Sequence, residues 1–276
     1  METMEKIREL HPAYAPAPEY RDAFVRSGFV AFTNQIAGSG KDSLKDETAL
    51  LCGALSCPSY TDRPWRPSDG PELGNTSYVY LTHEEMLEEI EAGTFIEYEP
   101  LRDYSYATPG REIVSIVNQG KRVFKDLEPN GLRTLRGVMG NDGLIRAVYP
   151  LPDLSLLDDG RTRWEHMLTD RDYKGHKLED VLGGACGEGA ASDLVKRLAA
   201  AAGQRDQIER MGLQDDPETL FVVNTFGELK KTAYQAARFV NHGRGISHAS
   251  CPIRGEVVSY LGKVRDIAEE ALAKAA

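Results

Sequence analysis

A lysine directly after a Gly-Ser-Gly turn, in the stretch Asn34 to Leu44 (NQIAGSGKDSL), is a combination that can cradle phosphate. Gly38, Ser39 and Gly40 are small enough for backbone N–H groups to curl around an anion, and Lys41 supplies a cation for the outer oxygens of a triphosphate. Against the pattern G-x-x-x-x-G-K-[ST], two letters differ: Gln35 stands at the first glycine and Asp42 at the hydroxyl that binds Mg²⁺. Gln35 costs on the order of 1–3 kcal/mol if its turn demands a positive φ. Asp42 is a milder change, since a carboxylate holds Mg²⁺ directly or through water. Ser43 is a weaker substitute for the missing hydroxyl, because one step along a helix turns a side chain about 100° away. Taken alone, the loop also reads as a Gly-rich turn with an exposed lysine.

A second group has the chemistry of a phosphate-monoester site. Arg63 and Arg66 lie three residues apart, and Tyr78 and Tyr106 follow. Guanidinium forks bind a phosphate bidentately, while phenols add neutral donors. Each residue singly has a plainer use, as a surface ion pair or a core tyrosine.

These residues need elements to hold them. Short apolar runs of strand type occur at 28–34, 78–81, 94–99, 121–128, 144–151 and 220–225. Helical spacing occurs at 41–55, 82–93, 110–120, 131–139, 161–170 and 191–211. Thr82 and Glu85 have capping-box spacing, and Gly93 marks the end of that helix. Strands alternating with helices imply an α/β fold with a mostly parallel central sheet and ligands at the carboxyl ends of its strands. Residues 1–27, with the Pro/Ala hinge HPAYAPAPEY, read as a polar lead, a short helix and a loop laid on the surface.

Composition narrows the function classes. The chain has 276 residues, enough for one substantial core with embellishments or two small ones. Its 33 Lys and Arg against 43 Asp and Glu leave a net charge of −10, which argues against binding nucleic acid through a broad basic face. No apolar run approaches the roughly 18 residues of a membrane helix, and the first 25 residues lack the apolar core of a secretory signal. A cytoplasmic protein without a membrane partner is expected. Cys52, Cys57, Cys186 and Cys251 and the six histidines show no metal-site spacing.

Downstream of the loop, submotifs follow in order: Ser59, Arg63 and Arg66; Tyr78; Phe95-Ile96-Glu97; Asp103 to Thr108 (DYSYAT); and Gly120-Lys121 leading to Asp126-Leu127-Glu128 and Gly131. This series resembles the guanylate kinase family, whose members carry S-x-x-x-R-x-x-R, then D-G-x-x-Y, F-I-E, Y-x-x-Y-G-[ST] and D-[IL]-[DE]-x-x-G. The resemblance covers roughly residues 28–240 and implies a P-loop kinase fold with a small nucleotide-binding subdomain (58–112), a helical lid (152–197) and extensions at 1–27 and 241–276, the latter with a terminal helix. It implies that Arg63, Arg66, Tyr78 and Tyr106 hold the acceptor's phosphate, and that Glu97, Glu128, Ser59 and Thr108 read a guanine edge. The resemblance also implies that ATP would bind at Gly38, Ser39, Gly40, Lys41, Asp42 and Ser43, with Asn224 near the adenine, that Asp42 and Asp126 would hold Mg²⁺, and that Lys41 with the lid arginines Arg171 and Arg197 would be catalytic.

The implied activity is ATP-dependent phosphoryl transfer to a nucleoside monophosphate, GMP or dGMP, by a monomer or homodimer. The chain departs from the family at Gln35, at Asp42, at Ala107 in place of glycine, and in the glycine-rich stretch 173–190 of the lid. Two alternatives stay open. Kinases of ribose 1,5-bisphosphate have G-S-G-K-D-S-L loops, the letters at Gly38 to Leu44. Guanylate-kinase-like modules of scaffolding proteins have lost ATP binding and recognise phosphopeptides.

Overall fold

The computed structural model describes residues 2–36, 38–65, 77–101, 103–140, 144–159, 161–165, 195, 198–225, 227–242 and 254–275. Their strands are β1 (Val30–Thr33), β2 (Leu55–Ser56), β3 (Ser59–Thr61), β4 (Tyr78–Tyr80), β5 (Phe95–Leu101), β6 (Tyr104–Pro109), β7 (Val123–Leu127), β8 (Arg146–Leu151) and β9 (Thr219–Val223). Their α-helices are α1 (Glu2–Leu10), α2 (Pro18–Arg26), α3 (Lys41–Cys52), α4 (His83–Glu91), α5 (Gly110–Asn118), α6 (Pro129–Met139), α7 (Gln204–Met211), α8 (Leu229–His242) and α9 (Arg254–Ala275).

The fold is mixed α/β, as the alternation of patterns implied. A five-stranded sheet has the order β2-β7-β1-β8-β9, and the pairs β2/β7 and β8/β9 are parallel. All four residues of β1 are buried, as are the last five of β8, which explains why these strands read as continuous apolar runs rather than alternating ones. A second sheet has the order β4-β3-β6-β5, with β3/β4 parallel and both β3/β6 and β5/β6 antiparallel.

By its internal contacts the chain divides into two compact units, Met1–Ala31 with Ala49–Arg146 and Phe32–Thr48 with Ala147–Ala276. In the first, α4 starts as its sequence requires: Thr82 Oγ1 accepts from the Glu85 amide at 3.1 Å, and Glu85 accepts from the Thr82 amide at 2.7 Å. Gly93, at φ +68°, adopts the left-handed conformation that ends it.

The first residues are not the surface lead that their polar composition suggested. Met4 and Ile7 of α1 are buried with Met86, Ile90, Phe95, Tyr98 and Ala107. Tyr98 Oη donates to the carbonyl of Ile7 at 2.9 Å, and Tyr14 Oη to that of Phe95 at 2.6 Å. In the second unit α9 buries Val257, Leu261, Val264 and Ala268 along one face. Its Tyr260 Oη donates to the carbonyl of Pro152 at 2.5 Å, so the terminal helix docks on its own unit.

Candidate active site

The Gly-rich loop lies between β1 and α3, the strand–turn–helix setting that phosphate binding requires. Gly38 and Gly40 take φ of +76° and +70°, conformations that a side chain disfavours. Asn34 Nδ2 donates to Ser39 Oγ at 2.8 Å and to the carbonyl of Pro150 at 2.6 Å, fixing the start of the loop on β8. Asn224, placed by resemblance near an adenine, closes the other side: its Nδ2 donates to the Ser39 carbonyl at 2.9 Å. A Cβ on Gly40 would lie 2.2 Å from that nitrogen, so a larger residue there would displace the Asn224 side chain.

Gln35 has a local partner that the motif does not anticipate. Its amide donates to Gln204 Oε1 at 3.2 Å, and Gln204 Nε2 donates to Gln35 Oε1 at 3.3 Å. Gln204, at the start of α7, is buried and also accepts from Tyr149 Oη. Two hydrogen bonds thus tie the start of the loop to α7. Lys41 is half-buried and its Nζ lies 3.2 Å from Asp42 Oδ1, while the Asp42 carboxylate is 80% exposed in the first turn of α3. An ion pair with so exposed a carboxylate is itself worth about 0–1 kcal/mol. Ser43 is exposed on the next position.

Five of the residues assigned to an acceptor, Ser59, Tyr78, Glu97, Tyr106 and Thr108, lie in the four-stranded sheet. Ser59 begins β3 and pairs in register with Tyr78 on β4; Thr61 pairs with Tyr106 on β6; Thr108 pairs with Glu97 on β5. Arg63, 4% exposed, follows β3 and stacks its guanidinium over Tyr78, 4.6 Å from the ring centroid, and near Tyr80 at 5.6 Å. Such stacking holds the fork in one plane for bidentate contact. Arg66, Arg171 and Arg197 lie outside the described residues, as does most of the lid.

Glu97 is 2% exposed. Thr108 Oγ1 donates to its Oε1 at 2.5 Å, and a Cβ on Gly131 in α6 would lie 3.9 Å from its Oε2. Burial pushes its carboxyl up to about 7, opposed by the Thr108 hydrogen bond and by Lys125, and aided by Glu99. Glu128, by contrast, is exposed at the N-cap of α6, and Asp126 in β7 is half-buried.

Sequence reasoning missed two residues. Gln204 carried no signal at all. Lys125 did: a lysine inside the apolar strand VFKDL is unusual, and it is 1% exposed, donating to the Pro58 carbonyl at 2.9 Å and to Ser59 Oγ.

Mg²⁺ and ATP fit the donor loop on chemical grounds. Glycines in left-handed conformation, the N-terminus of a 12-residue helix, a lysine directly after the glycines and an exposed carboxylate are parts that a Mg²⁺ triphosphate can use. Among the described residues, no three His, Cys, Asp or Glu side chains cluster as metal ligands. Mg²⁺ bound mainly through phosphates uses one or two carboxylates and requires no such cluster. Among the described residues no helix is long and apolar enough to cross a membrane.

A family model described as guanylate kinase matches residues 37–145. The guanylate kinase of Syntrophus aciditrophicus is 30% identical over 110 residues, 40% of this chain and 52% of that protein. That of Thermotoga maritima is 27% identical over 197 residues, 64% of this chain and 91% of that protein. The chain thus spans about half the length of the first relative and nearly all of the second. The crystal structure of guanylate kinase from Anaplasma phagocytophilum aligns with a TM-score of 0.44 at 14% identity, covering 84% of this chain and 92% of that one, a likeness too loose to carry weight.

Proposed function

We propose that the chain is a member of the guanylate kinase family that its similarities point to, and that it transfers the γ-phosphoryl group of ATP to the phosphate of a nucleoside monophosphate, GMP or dGMP. The observation that carries this reading is the four-stranded sheet, which gathers Ser59, Tyr78, Glu97, Tyr106 and Thr108 in register beside the stacked Arg63. A buried carboxylate and a planar cation on one small sheet suit a ligand with N–H donors at one end and a phosphate at the other.

In this reading the amides of Gly38 to Lys41 and the Lys41 ammonium hold the donor's β and γ oxygens. Arg63, Arg66, Tyr78 and Tyr106 hold the acceptor's phosphate, while Glu97, Glu128, Ser59 and Thr108 read its base. Asp42 and Asp126 would hold Mg²⁺, which would offset the negative charge of the donor's phosphates. Arg171 and Arg197 from the lid neutralise charge that develops during transfer, a contribution of about 10³–10⁵ in rate for arginines of this type. Asn224 orders the loop. No histidine is required, because phosphoryl transfer relies on positioning and charge. The enzyme acts in the cytoplasm on small nucleotides, as a monomer or homodimer.

The test is ADP release from ATP·Mg²⁺ with GMP, dGMP, AMP, CMP, UMP, dTMP and ribose 1,5-bisphosphate in parallel. Turnover with GMP or dGMP above the others, lost in Lys41→Ala, is expected. Turnover with ribose 1,5-bisphosphate alone would move the acceptor class, and ATP binding without any turnover would make the chain a binding module.

A further inference from the structure

We propose that Lys125 is a positioning residue for base selection: it commits the Ser59 hydroxyl to donating toward the ligand, and so favours acceptors that present a keto oxygen to Ser59. This rests on the reading of the four-stranded sheet as the acceptor site.

An ammonium has three N–H donors and no acceptor. That of Lys125 gives one to the Pro58 carbonyl at 2.9 Å and another to Ser59 Oγ. Burying such a cation among Val123, Phe124 and Leu127 costs several kcal/mol unless it is well paired, so a merely structural role would be met more cheaply by leucine or methionine. Ser59 carries one O–H and two lone pairs. With a lone pair taken by Lys125, its proton is left to point at a ligand. The adjacent positive charge makes Ser59 a poor partner for an amino group and a good one for a keto oxygen. The Ser59 amide is already engaged by the Ser77 carbonyl at 2.8 Å, so the hydroxyl is the group of Ser59 that a ligand meets.

Glu97 sets the complementary half. Thr108 donates to its Oε1, and the carboxylate is left to accept N–H groups. A donor at Ser59 next to an acceptor at Glu97 matches a 6-oxopurine, with its keto oxygen beside an N–H. It mismatches a 6-aminopurine at both positions, and leaving buried polar groups unpaired is what gives such a site its discrimination.

Steady-state kinetics of the full chain test this, with GMP, 6-thio-GMP and AMP as acceptors. The variants are Lys125→Met, Lys125→Gln, Ser59→Ala and Ser59→Ala with Lys125→Met. Lys125→Met is expected to raise the KM for GMP about tenfold, leave the KM for ATP unchanged, and narrow the preference for GMP over 6-thio-GMP, whose sulfur is a weak acceptor. Lys125→Gln, which keeps a donor, recovers part of the loss. Adding Lys125→Met to Ser59→Ala changes little further, because one acts through the other. Equal losses for GMP and 6-thio-GMP, or additive effects in the double variant, would overturn the proposal. If Lys125→Met does not fold, Ser59→Ala and Lys125→Gln decide by the same ratio. A wild-type chain that never phosphorylates GMP would overturn the kinase reading and this inference together, whereas an active wild type with indifferent variants would overturn only the inference.

Discussion

Thr108 Oγ1 donates to Glu97 Oε1 at 2.5 Å across the β5/β6 pair, and the two face each other because β5 carries one residue, Ile96, more than its partner between Phe95 and Glu97. Phe95 pairs with Pro109 and Glu97 with Thr108, so the strand bulges between them. A bulge re-aims the side chains beyond it. Here it brings a carboxylate to face a hydroxyl within a buried sheet. Thr108→Val keeps the shape and removes the donor. Acceptor KM should rise about tenfold or more with the KM for ATP unchanged, as steady-state kinetics would show. Equal changes in both constants would mean that the pair serves the fold alone.

The same carboxylate predicts a pH dependence. Burial first, then Glu99, pushes Glu97 up to about 7 from its usual 4.5, against the pull of Thr108 and Lys125. Between those values the folded chain holds a proton that the unfolded chain has released. The stability that neutral Glu97 contributes is therefore complete below about 4.5 and is lost as the pH rises to about 7. Denaturant unfolding across that window should show a smaller decline in Glu97→Gln. Acceptor binding should run the opposite way in the parent chain, strengthening toward pH 7 as the carboxylate forms.

Gly40 and Asn224 give a steric prediction. A Cβ at Gly40 meets Asn224 Nδ2 at 2.2 Å, and φ there is +70°. Gly40→Ala should weaken ATP binding by well over tenfold in calorimetry, since it strains the backbone by about 1–3 kcal/mol and displaces the amide that holds the Ser39 carbonyl. Adding Asn224→Ala relieves the collision but not the backbone strain, so recovery should be partial. Full recovery would show that the left-handed conformation has no part in binding.

Ile7 tests whether the N-terminal helix belongs to the core. Its side chain is 0% exposed within the cluster that includes Tyr98 and Phe95. Ile7→Ala should destabilise by about 2–5 kcal/mol in denaturant unfolding. A change below roughly 0.5 kcal/mol, the size usual for surface positions, would return residues 1–27 to the role of a loose lead.

How far the sequence could be read follows from where its signals are local. Thr82, Glu85 and Gly93 announce α4 because capping and left-handed termination depend on neighbours three residues away. The buried runs of β1, β8 and β9 announce themselves by continuous apolar character. Strands β2, β3 and β6 were not legible. β2 and β3 are two and three residues long, and β6, with the sequence YSYATP, shows no clean alternation; all three depend on partners distant in sequence. The burial of Met4 and Ile7 depends on tertiary contacts with α4 and β5, so composition misled. In the candidate site, the ordered motifs pointed to Ser59, Glu97 and Thr108, which share one sheet, yet nothing local showed that Lys125 touches Ser59 or that Gln204 holds Gln35.

The most direct measurement follows the phosphoryl group itself. The full chain is incubated with γ-labelled ATP, Mg²⁺ and GMP, and the nucleotides are separated. The account predicts label in GDP, abolished in Lys41→Ala whose thermal unfolding matches the parent. Label that stays in ATP or leaves only as inorganic phosphate, or GDP labelling that survives Lys41→Ala, would contradict it.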